Sequence, residues 1–211
     1  MKDHIVGRLT TYRSVELWSP ADPDGGSCEL KDYPRSMDVE PTADIVSGEL
    51  VACFEDSCEI YQNGEWNHLV ETREIRRDHS SAVKDNRLLL IGGYHHTTLT
   101  STEWISLDGS PSQPGPFNIR HGQSHCTLQI SNEKIIITGG KDTELYVTEY
   151  QLTGDGNETP LTPMRPRRSH ACGVYQGVGG EQVRRVYSYL WTEAILMISM
   201  MMMMFDNWNQ E

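Results

Sequence analysis

The sequence repeats a pattern about every 45 residues, and this period restricts the possible fold more than any other feature of the chain. In each clear copy an apolar run ends in a pair of glycines, and a Glu–aromatic pair follows about ten residues later. The two copies read LLLIGG and IIITGG; they end at Gly92-Gly93 and Gly139-Gly140 and are followed by Glu103-Trp104 and Glu149-Tyr150. A period in this range is typical of solenoids, propellers and other repeat arrays.

Two further residue types recur in phase with the glycine pairs. Glutamates stand at intervals of 43, 44 and 46 residues, at Glu16, Glu59, Glu103 and Glu149. Histidines precede the glycine pairs by 13 or 14 residues, and one more follows after 45, giving His79, His125 and His170. A metal-ligand set would be asymmetric and would need supporting hydrogen bonds. We therefore expect hydrogen-bonded structural histidines at strand starts, and no metal site.

Each unit divides into four short strands. After Arg76 the pattern predicts three strands and then a proline-rich fourth, at Ser80 to Val83, Arg87 to Ile91, Glu103 to Leu107 and beyond Asp108-Gly109. Proline cannot donate to a strand ladder, so the fourth strand should lie at the outer edge of its sheet. In the preceding unit, Asn63-Gly64 between two alternating runs predicts a tight hairpin.

Four-stranded antiparallel units at this period, with a glycine pair closing strand two, resemble kelch repeats over roughly residues 10–176. The resemblance implies an all-β fold: kelch-type β-propeller blades of four antiparallel strands, in an incomplete ring of about three to four blades. Its structural marks are Gly92, Gly93, Trp104, Gly139, Gly140 and Tyr150, with Trp104 filling the space between adjacent blades. Two units depart from the pattern and should pack less typically: Cys53-Phe54 replaces a glycine pair, and Trp is absent after Glu59 and Glu149.

The repeat pattern ends before the chain does. We assign residues 1–183 to the propeller fragment and residues 184–211 to a non-homologous tail, disordered or misread from a shifted frame or retained intron. Ala194 to Phe205 is apolar apart from Ser199, but it is shorter than the roughly 20 residues that a spanning helix needs. The alternative is an amphipathic anchor, which the lack of flanking Lys or Arg opposes. We expect no membrane association.

Composition narrows the cell compartment and the class of partner. A formal net charge of −12 and a pI near 5.1 argue against nucleic acid, whose binders carry basic patches. The N-terminus shows no signal-peptide pattern, which favours the cytoplasm. Five scattered cysteines then indicate reduced thiols. In the alternative, a secreted or surface protein, Cys28 would form a disulfide with Cys58.

Catalytic motifs are lacking. His121 and His125 stand four apart and His95-His96 adjoin, but no G-x-S-x-G, H-E-x-x-H or P-loop is present. Some kelch propellers are copper oxidases resembling galactose oxidase, and their ligand set has no identifiable counterpart here. We expect no enzyme activity and no cofactor; a fragment of a galactose-oxidase-like enzyme is the alternative.

Recognition of a partner protein is the remaining function class. In a four-stranded antiparallel unit, the loop after strand two and the loop leaving strand four open on the same side. On that side we predict a binding face formed by Arg77, Tyr94, His96, Arg120 and Arg168. Arg76 and Arg167, each three residues before a His, are assigned to structural ion pairs instead. Guanidinium groups bind carboxylate or phosphate, so we expect an acidic or phosphorylated partner segment, as for kelch-like adaptor or scaffold proteins.

Overall fold

The computed structural model describes residues 6–9, 15–18, 28–35, 42–120, 122, 125–140, 146–154, 156–163, 170–175 and 185–190. All secondary-structure elements in these ranges are β-strands, and they form five antiparallel sheets in chain order, named here A to E. The described part of the chain is therefore all-β, as the repeat pattern predicts.

The strands of each sheet follow one another along the chain. Sheet A contains β1 (Val6–Leu9), β2 (Val15–Trp18) and β3 (Cys28–Leu30). Sheet B contains β4 (Thr42–Val46), β5 (Glu49–Gln62) and β6 (Glu65–Arg76). Sheet C contains β7 (Ser80–Lys84), β8 (Arg87–His95), β9 (Thr97–Ser106) and β10 (Gln113–Pro114). Sheet D contains β11 (His125–Ser131), β12 (Lys134–Gly139), β13 (Val147–Gln151) and β14 (Glu158–Pro160), and sheet E contains β15 (His170–Tyr175) and β16 (Arg185–Leu190).

Local turn chemistry produces these hairpins. The β5–β6 turn has positive φ at Asn63 and Gly64, and the β7–β8 turn has positive φ at Asp85 and Asn86. Two-residue turns of this kind match the twist of the strands they join, and Asn, Asp and Gly tolerate the left-handed region best. The predicted Asn63-Gly64 hairpin is confirmed, and so is the edge position of the proline-rich strand β10, which pairs only with β9 within the described residues.

Strand β5 doubles back on itself. Cys53 and Cys58 lie 4.0 Å apart at Cα and form a disulfide, although five residues of extended strand would span about 17 Å. The reversal is at Glu55, which has a φ of 53°. The two arms of β5 therefore act as the second and third strands of sheet B, which has four strand segments like sheets C and D.

The hairpin registers show which residues are equivalent between sheets. The first and second strands are joined by two residues in each case, between Val46 and Glu49, Lys84 and Arg87, and Ser131 and Lys134. Counting from these pairs, Gly92-Gly93 and Gly139-Gly140 are equivalent, and both pairs have positive φ. The residues at this place in sheet B are Phe54-Glu55. The assignment of Cys53-Phe54 to the glycine-pair position is therefore wrong by one residue.

The third strand of sheet D is shifted by one residue relative to the sequence repeat. Ile105 pairs with Leu88, and Tyr150 pairs with Ile135, the equivalent of Leu88. Tyr150 is thus equivalent to Ile105, not to Trp104. Because side chains alternate between the faces of a sheet, the shift turns Tyr150 to the opposite face from the one that the repeat predicts.

The described residues form three buried apolar clusters, and two of them lie at the B/C and C/D junctions. At the B/C junction, Val51 and Ile60 of sheet B pack with Leu88, Leu90 and Ile105 of sheet C. The C/D junction is more aromatic: its buried cluster includes Ala82, Leu89, Ile91, Trp104, Phe117, Ile119, Ile135, Ile137 and Tyr150. The predicted burial of Trp104 between adjacent sheets is confirmed, with 7% of its surface exposed.

The first strands of sheets B to E lie side by side. Strand β7 is flanked by β4 and β11, and β11 is also beside β15. Polar side chains connect them: Thr42 Oγ1 donates to the carbonyl of His79 at 2.9 Å, and Gln129 exchanges two hydrogen bonds with the backbone of Val83 at 2.9 and 2.6 Å. Successive four-stranded sheets with adjoining first strands are consistent with a partial β-propeller.

The segment 184–211, predicted to be a separate tail, contains one described strand. Strand β16 pairs along its whole length with β15 as the second strand of sheet E. Residues 191–211, including the methionine run, lie outside the described residues. The boundary at residue 183 stays a prediction.

Candidate functional site

The loops at one end of sheets B and C form the face that the sequence predicts for binding. Here β5 turns at Glu55-Asp56, β8 turns into β9 at His96, and the link from β6 to β7 carries Arg77. We call this end of the sheets the loop face.

Arg77 and Tyr94 are held together by the backbone. The Arg77 amide donates to the Tyr94 carbonyl at 3.0 Å, and the Tyr94 amide donates to the Arg77 carbonyl at 2.7 Å. The Arg77 guanidinium is half exposed and forms an ion pair with Glu55. The two residues therefore share a rigid backbone frame, and the charge of Arg77 has an acidic neighbour in its own chain.

The β8–β9 hairpin presents two histidines beside Tyr94. His96 is exposed and occupies the turn with a φ of 58°, and the His95 and His96 rings lie 4.2 Å apart. Strand pairing continues to His95 and Thr97, so the tip is an extension of the sheet. Tyr94 and His96 are thus positioned by regular structure next to Arg77.

Arg120 lies one junction further along, in the link between β10 and β11. Its guanidinium is half exposed and forms an ion pair with Glu158. This hydrogen bond raises the pKa of Arg120. Burial raises the pKa of the nearby Tyr150 to about 12. Arg120 therefore has an acidic neighbour just as Arg77 does.

The structure places four of the five predicted binding residues. Arg77, Tyr94 and His96 come together on the loop face, and Arg120 stands at the C/D junction. Arg168 lies outside the described residues, as does Arg167. The role of all five in binding stays a prediction.

Arg76 has the structural role assigned to it. It is 1% exposed and pairs through Nη2 with Glu103 of sheet C, also 1% exposed, at 3.2 Å. Its Nη1 donates to the carbonyls of Gly92 and Ser101 at 2.8 and 3.0 Å. A buried guanidinium needs this degree of satisfaction to be tolerated.

The C/D junction lacks this ion pair. The residue equivalent to Arg76, three before the repeat histidine, is Gly122, and the residue equivalent to Glu103 in the strand register is Thr148. A Cβ at Gly122 would lie 1.4 Å from the Leu99 carbonyl oxygen, so the β8–β9 hairpin leaves no room for a side chain there. A shallow pocket opens beside it, lined by Ile119, Arg120, Ile137, Gly139, Tyr146, Thr148 and Tyr150.

The repeat histidines differ from one another. His125 Nε2 lies 2.7 Å from Ser80 Oγ, as expected for a hydrogen-bonded structural histidine. Both ring nitrogens of His79 are buried and have no hydrogen-bond partner among the described residues. The prediction of a satisfied histidine is therefore wrong for His79. Burial, helped by the nearby positive charge of Arg76, lowers its pKa to about 3. The described residues bring no three His, Cys, Asp or Glu side chains together as a metal site.

The cysteines are not all thiols. Cys53 is bonded to Cys58, and Cys126 is disulfide-bonded as well. The prediction of reduced thiols is wrong for these three residues, and the alternative pairing of Cys28 with Cys58 is also wrong. The reversal of β5, which the sequence pattern did not reveal, is the physical reason for the Cys53–Cys58 bond.

Sequence reasoning missed the acidic side of the loop face. Glu55 pairs with Arg77, and Arg35 Nη1 lies 2.5 Å from Asp56 Oδ1. The hydrogen bond from Arg35 lowers the pKa of Asp56. Two adjacent acids directly after a second strand are a signal that could have indicated this turn.

Comparison with known proteins supports the fold and nothing more specific. The sequence matches no protein-family model and no curated protein. A solved structure described as "Structure of YjhT" is similar, with a TM-score of 0.65 and 11% identity, covering 82% of this chain and 69% of that one. At this identity the likeness shows the fold alone. Among the described residues, none forms a helix that could cross a membrane.

Proposed function

We propose that the units of this chain are kelch-type repeats and that the chain acts as a non-enzymatic protein-interaction module. On this proposal, the loop face binds an acidic or phosphorylated segment of a partner protein. The role is that of a scaffold or adaptor, with no cofactor and no catalytic step.

One observation carries the proposal: a half-exposed guanidinium stands on a rigid frame beside an aromatic ring and an exposed imidazole. Arg77, Tyr94 and His96 supply these three groups. A guanidinium binds carboxylate or phosphate through parallel hydrogen bonds, and an aromatic neighbour provides the apolar anchor typical of binding hot spots.

The internal acid Glu55 sets the strength of such binding. An incoming anion shares or displaces the Glu55 contact at Arg77, so the gain is smaller than for an unpaired guanidinium. The interaction should be moderate and should weaken with added salt, because exposed charges are screened over about 8–10 Å at physiological ionic strength.

A charge-reversal experiment tests the proposal. Tagged wild-type protein is compared with Arg77→Glu/Arg120→Glu/Arg168→Glu in recovery of partner proteins, at two salt concentrations. Arg73→Glu is the control, because Arg73 is an exposed residue within β6 and carries the same charge. Loss of partners from the triple variant alone supports the loop face, and equal recovery by both proteins contradicts it.

The disulfides favour a second version of this role, in a secreted or surface protein. Disulfides persist in oxidising compartments and are rare in the cytoplasm. Free thiols counted under denaturing conditions, in protein purified with its thiols blocked, decide between the two. Five free thiols support the cytoplasmic version, and Cys53 and Cys58 in one disulfide-linked peptide support the secreted version.

A further inference from the structure

One tripeptide in the chain has the sequence of an acceptor for asparagine-linked glycosylation. Asn157-Glu158-Thr159 is the single Asn-x-Ser/Thr sequence among the 211 residues. A folded protein accommodates such a glycan only on its surface, because the glycan is large and hydrated. The position of the tripeptide in the fold therefore decides whether a glycan fits there.

The asparagine follows a turn at the outer edge of sheet D. Gly154 and Gly156 have positive φ in the link from β13 to β14, and Asn157 is the last residue before β14. The Gln151 amide donates to the Asn157 carbonyl at 3.0 Å, so the hairpin fixes the backbone of the acceptor. Asn157 itself is exposed. Strand β14 pairs with β13 alone among the described strands, which leaves its other side open for a glycan.

The middle residue of the tripeptide is turned the other way. Glu158 is partly buried, forms an ion pair with Arg120 and accepts a hydrogen bond from Tyr150 Oη at 3.4 Å. Successive side chains of an extended chain point to opposite faces. Asn157 and Thr159, on either side of Glu158, are both exposed. The acceptor amide and the hydroxyl that the motif requires are therefore on the solvent side, and a glycan extends away from the Arg120 contact.

The disulfides are a second, independent observation. Cys53 is bonded to Cys58, and Cys126 is disulfide-bonded as well. Disulfides form in oxidising compartments such as the lumen of the endoplasmic reticulum, which is also where glycans are attached to asparagine. A chain that acquires these bonds during secretion therefore also meets the glycosyl transferase.

We propose that Asn157 is a site of asparagine-linked glycosylation. This inference rests on the secreted or surface version of the proposed function and adds a modification to it. The donor is an oligosaccharide joined through its first N-acetylglucosamine to a lipid diphosphate. Nδ2 of Asn157 forms a bond to C1 of that sugar, the bond from C1 to the diphosphate oxygen breaks, and the lipid diphosphate leaves. The proton lost from Nδ2 goes to a base of the transferase.

An exposed leucine at the same edge gives the glycan a physical role. Leu161 is 36% exposed and follows Thr159 by two residues. Its amide donates to the Val147 carbonyl at 2.8 Å, so it continues the pairing of β14 with β13. Open strand edges promote pairing with other chains unless something covers them. A hydrated glycan beside this edge and its leucine hinders such association.

Secretion of the full chain behind a leader peptide tests the site. Protein recovered from the medium of a eukaryotic host is treated with peptide N-glycosidase, and its mass is measured before and after treatment. Wild type and Thr159→Ser should lose mass, and Asn157→Gln and Thr159→Ala should not. The peptide that contained the modified Asn157 should then hold an aspartate in its place, because the enzyme hydrolyses the side-chain amide.

Pro160 and another turn of sheet D supply the controls. Pro160 restricts Thr159 to extended backbone, so we expect part of the wild type to be modified and a larger part of Pro160→Ala. Adding Lys134→Thr to Asn157→Gln creates the same Asn-Glu-Thr sequence at Asn132, which is exposed in the β11–β12 turn, and should restore a mass loss.

The outcomes separate this site from the function on which it rests. Secreted wild type with Asn157 unmodified overturns the site, and modification of Pro160→Ala alone overturns it for the natural sequence. Either result leaves the secreted version of the function standing, because the state of Cys53 and Cys58 decides that version separately.

Discussion

The B/C and C/D junctions join equivalent sheets by different means. At the B/C junction a buried ion pair, Arg76 with Glu103, crosses from the end of β6 to β9 beside the aliphatic core. At the C/D junction the ion pair is replaced by Gly122 and Thr148, and the core is built around Trp104 and its aromatic neighbours. Equivalent junctions of the repeat can therefore contain either a buried ion pair or neutral residues beside an aromatic core.

The two junctions should differ in which substitutions destabilise them. A buried ion pair contributes little net free energy when both partners are present, and leaves an unpaired charge when one is removed. An aromatic core depends on volume, because an emptied site relaxes only partly. The stability of the B/C junction should therefore depend on keeping both charges of the ion pair, and the stability of the C/D junction should depend on the volume of its buried aromatic side chains.

The largest expected effect tests the close approach at the C/D junction. Gly122→Ala should prevent stable folding, because the new Cβ would lie 1.4 Å from the Leu99 carbonyl oxygen. The measurement is soluble yield and denaturant unfolding. The control Gly64→Ala meets nothing within 4 Å and should cost about 1 kcal/mol, from its left-handed backbone alone. Wild-type stability in Gly122→Ala would mean that the link from β10 to β11 does not pass against the β8–β9 hairpin as described.

The second prediction tests whether the B/C junction depends on the pair. Arg76→Met should reduce the free energy of unfolding by about 3–5 kcal/mol, because Glu103 is left buried and unpaired. The double variant Arg76→Met/Glu103→Leu should recover most of the loss. Urea unfolding of the two single variants and the double variant provides the test. Losses that simply add would show that the two charges act independently.

The third prediction makes the corresponding test of shape at the C/D junction. Trp104→Ala should also cost about 3–5 kcal/mol, the usual range for emptying a large aromatic site. Trp104→Phe should recover part of this, because it refills volume without any polar partner. Thermal unfolding that leaves Trp104→Ala close to the wild type would contradict the aromatic core.

The smallest effect concerns His79, which lies near both Arg76 and His125. Its pKa is lowered from 6.5 to about 3, so the unfolded chain binds this proton at a higher pH than the folded chain does. The contribution of His79 therefore makes unfolding easier as the pH falls from about 6.5 towards 3. His79→Leu should be as stable as the wild type near neutral pH and less sensitive to acid. Melting temperatures of the two proteins across this pH range provide the measurement. If both melting temperatures fall equally with pH, the lowered pKa of His79 is contradicted.

The sequence predicts some parts of the loop face and not others. The sequence pattern groups Arg77, Tyr94 and His96 because it ends the second strand at Ile91, whereas β8 continues to His95 and contains Tyr94. The ion pair of Arg77 with Glu55 was not predicted, because it joins residues 22 apart in sequence, across the reversal of β5. The disulfide at that reversal was missed for the same reason.

Local patterns along the chain determined the period, the all-β class, the two-residue hairpins and the edge position of β10. These features depend on backbone dihedrals and on the alternation of side chains, which neighbouring residues control. The tertiary structure alone decided that Tyr150 is equivalent to Ile105 and that Thr148 replaces the buried Glu103. Between equivalent pairs, the β12–β13 hairpin is two residues shorter than the β8–β9 hairpin, one residue more than the sequence repeat indicates. That one-residue shift exchanges the faces of the strand, and only the pairing of distant strands reveals which face meets which neighbour.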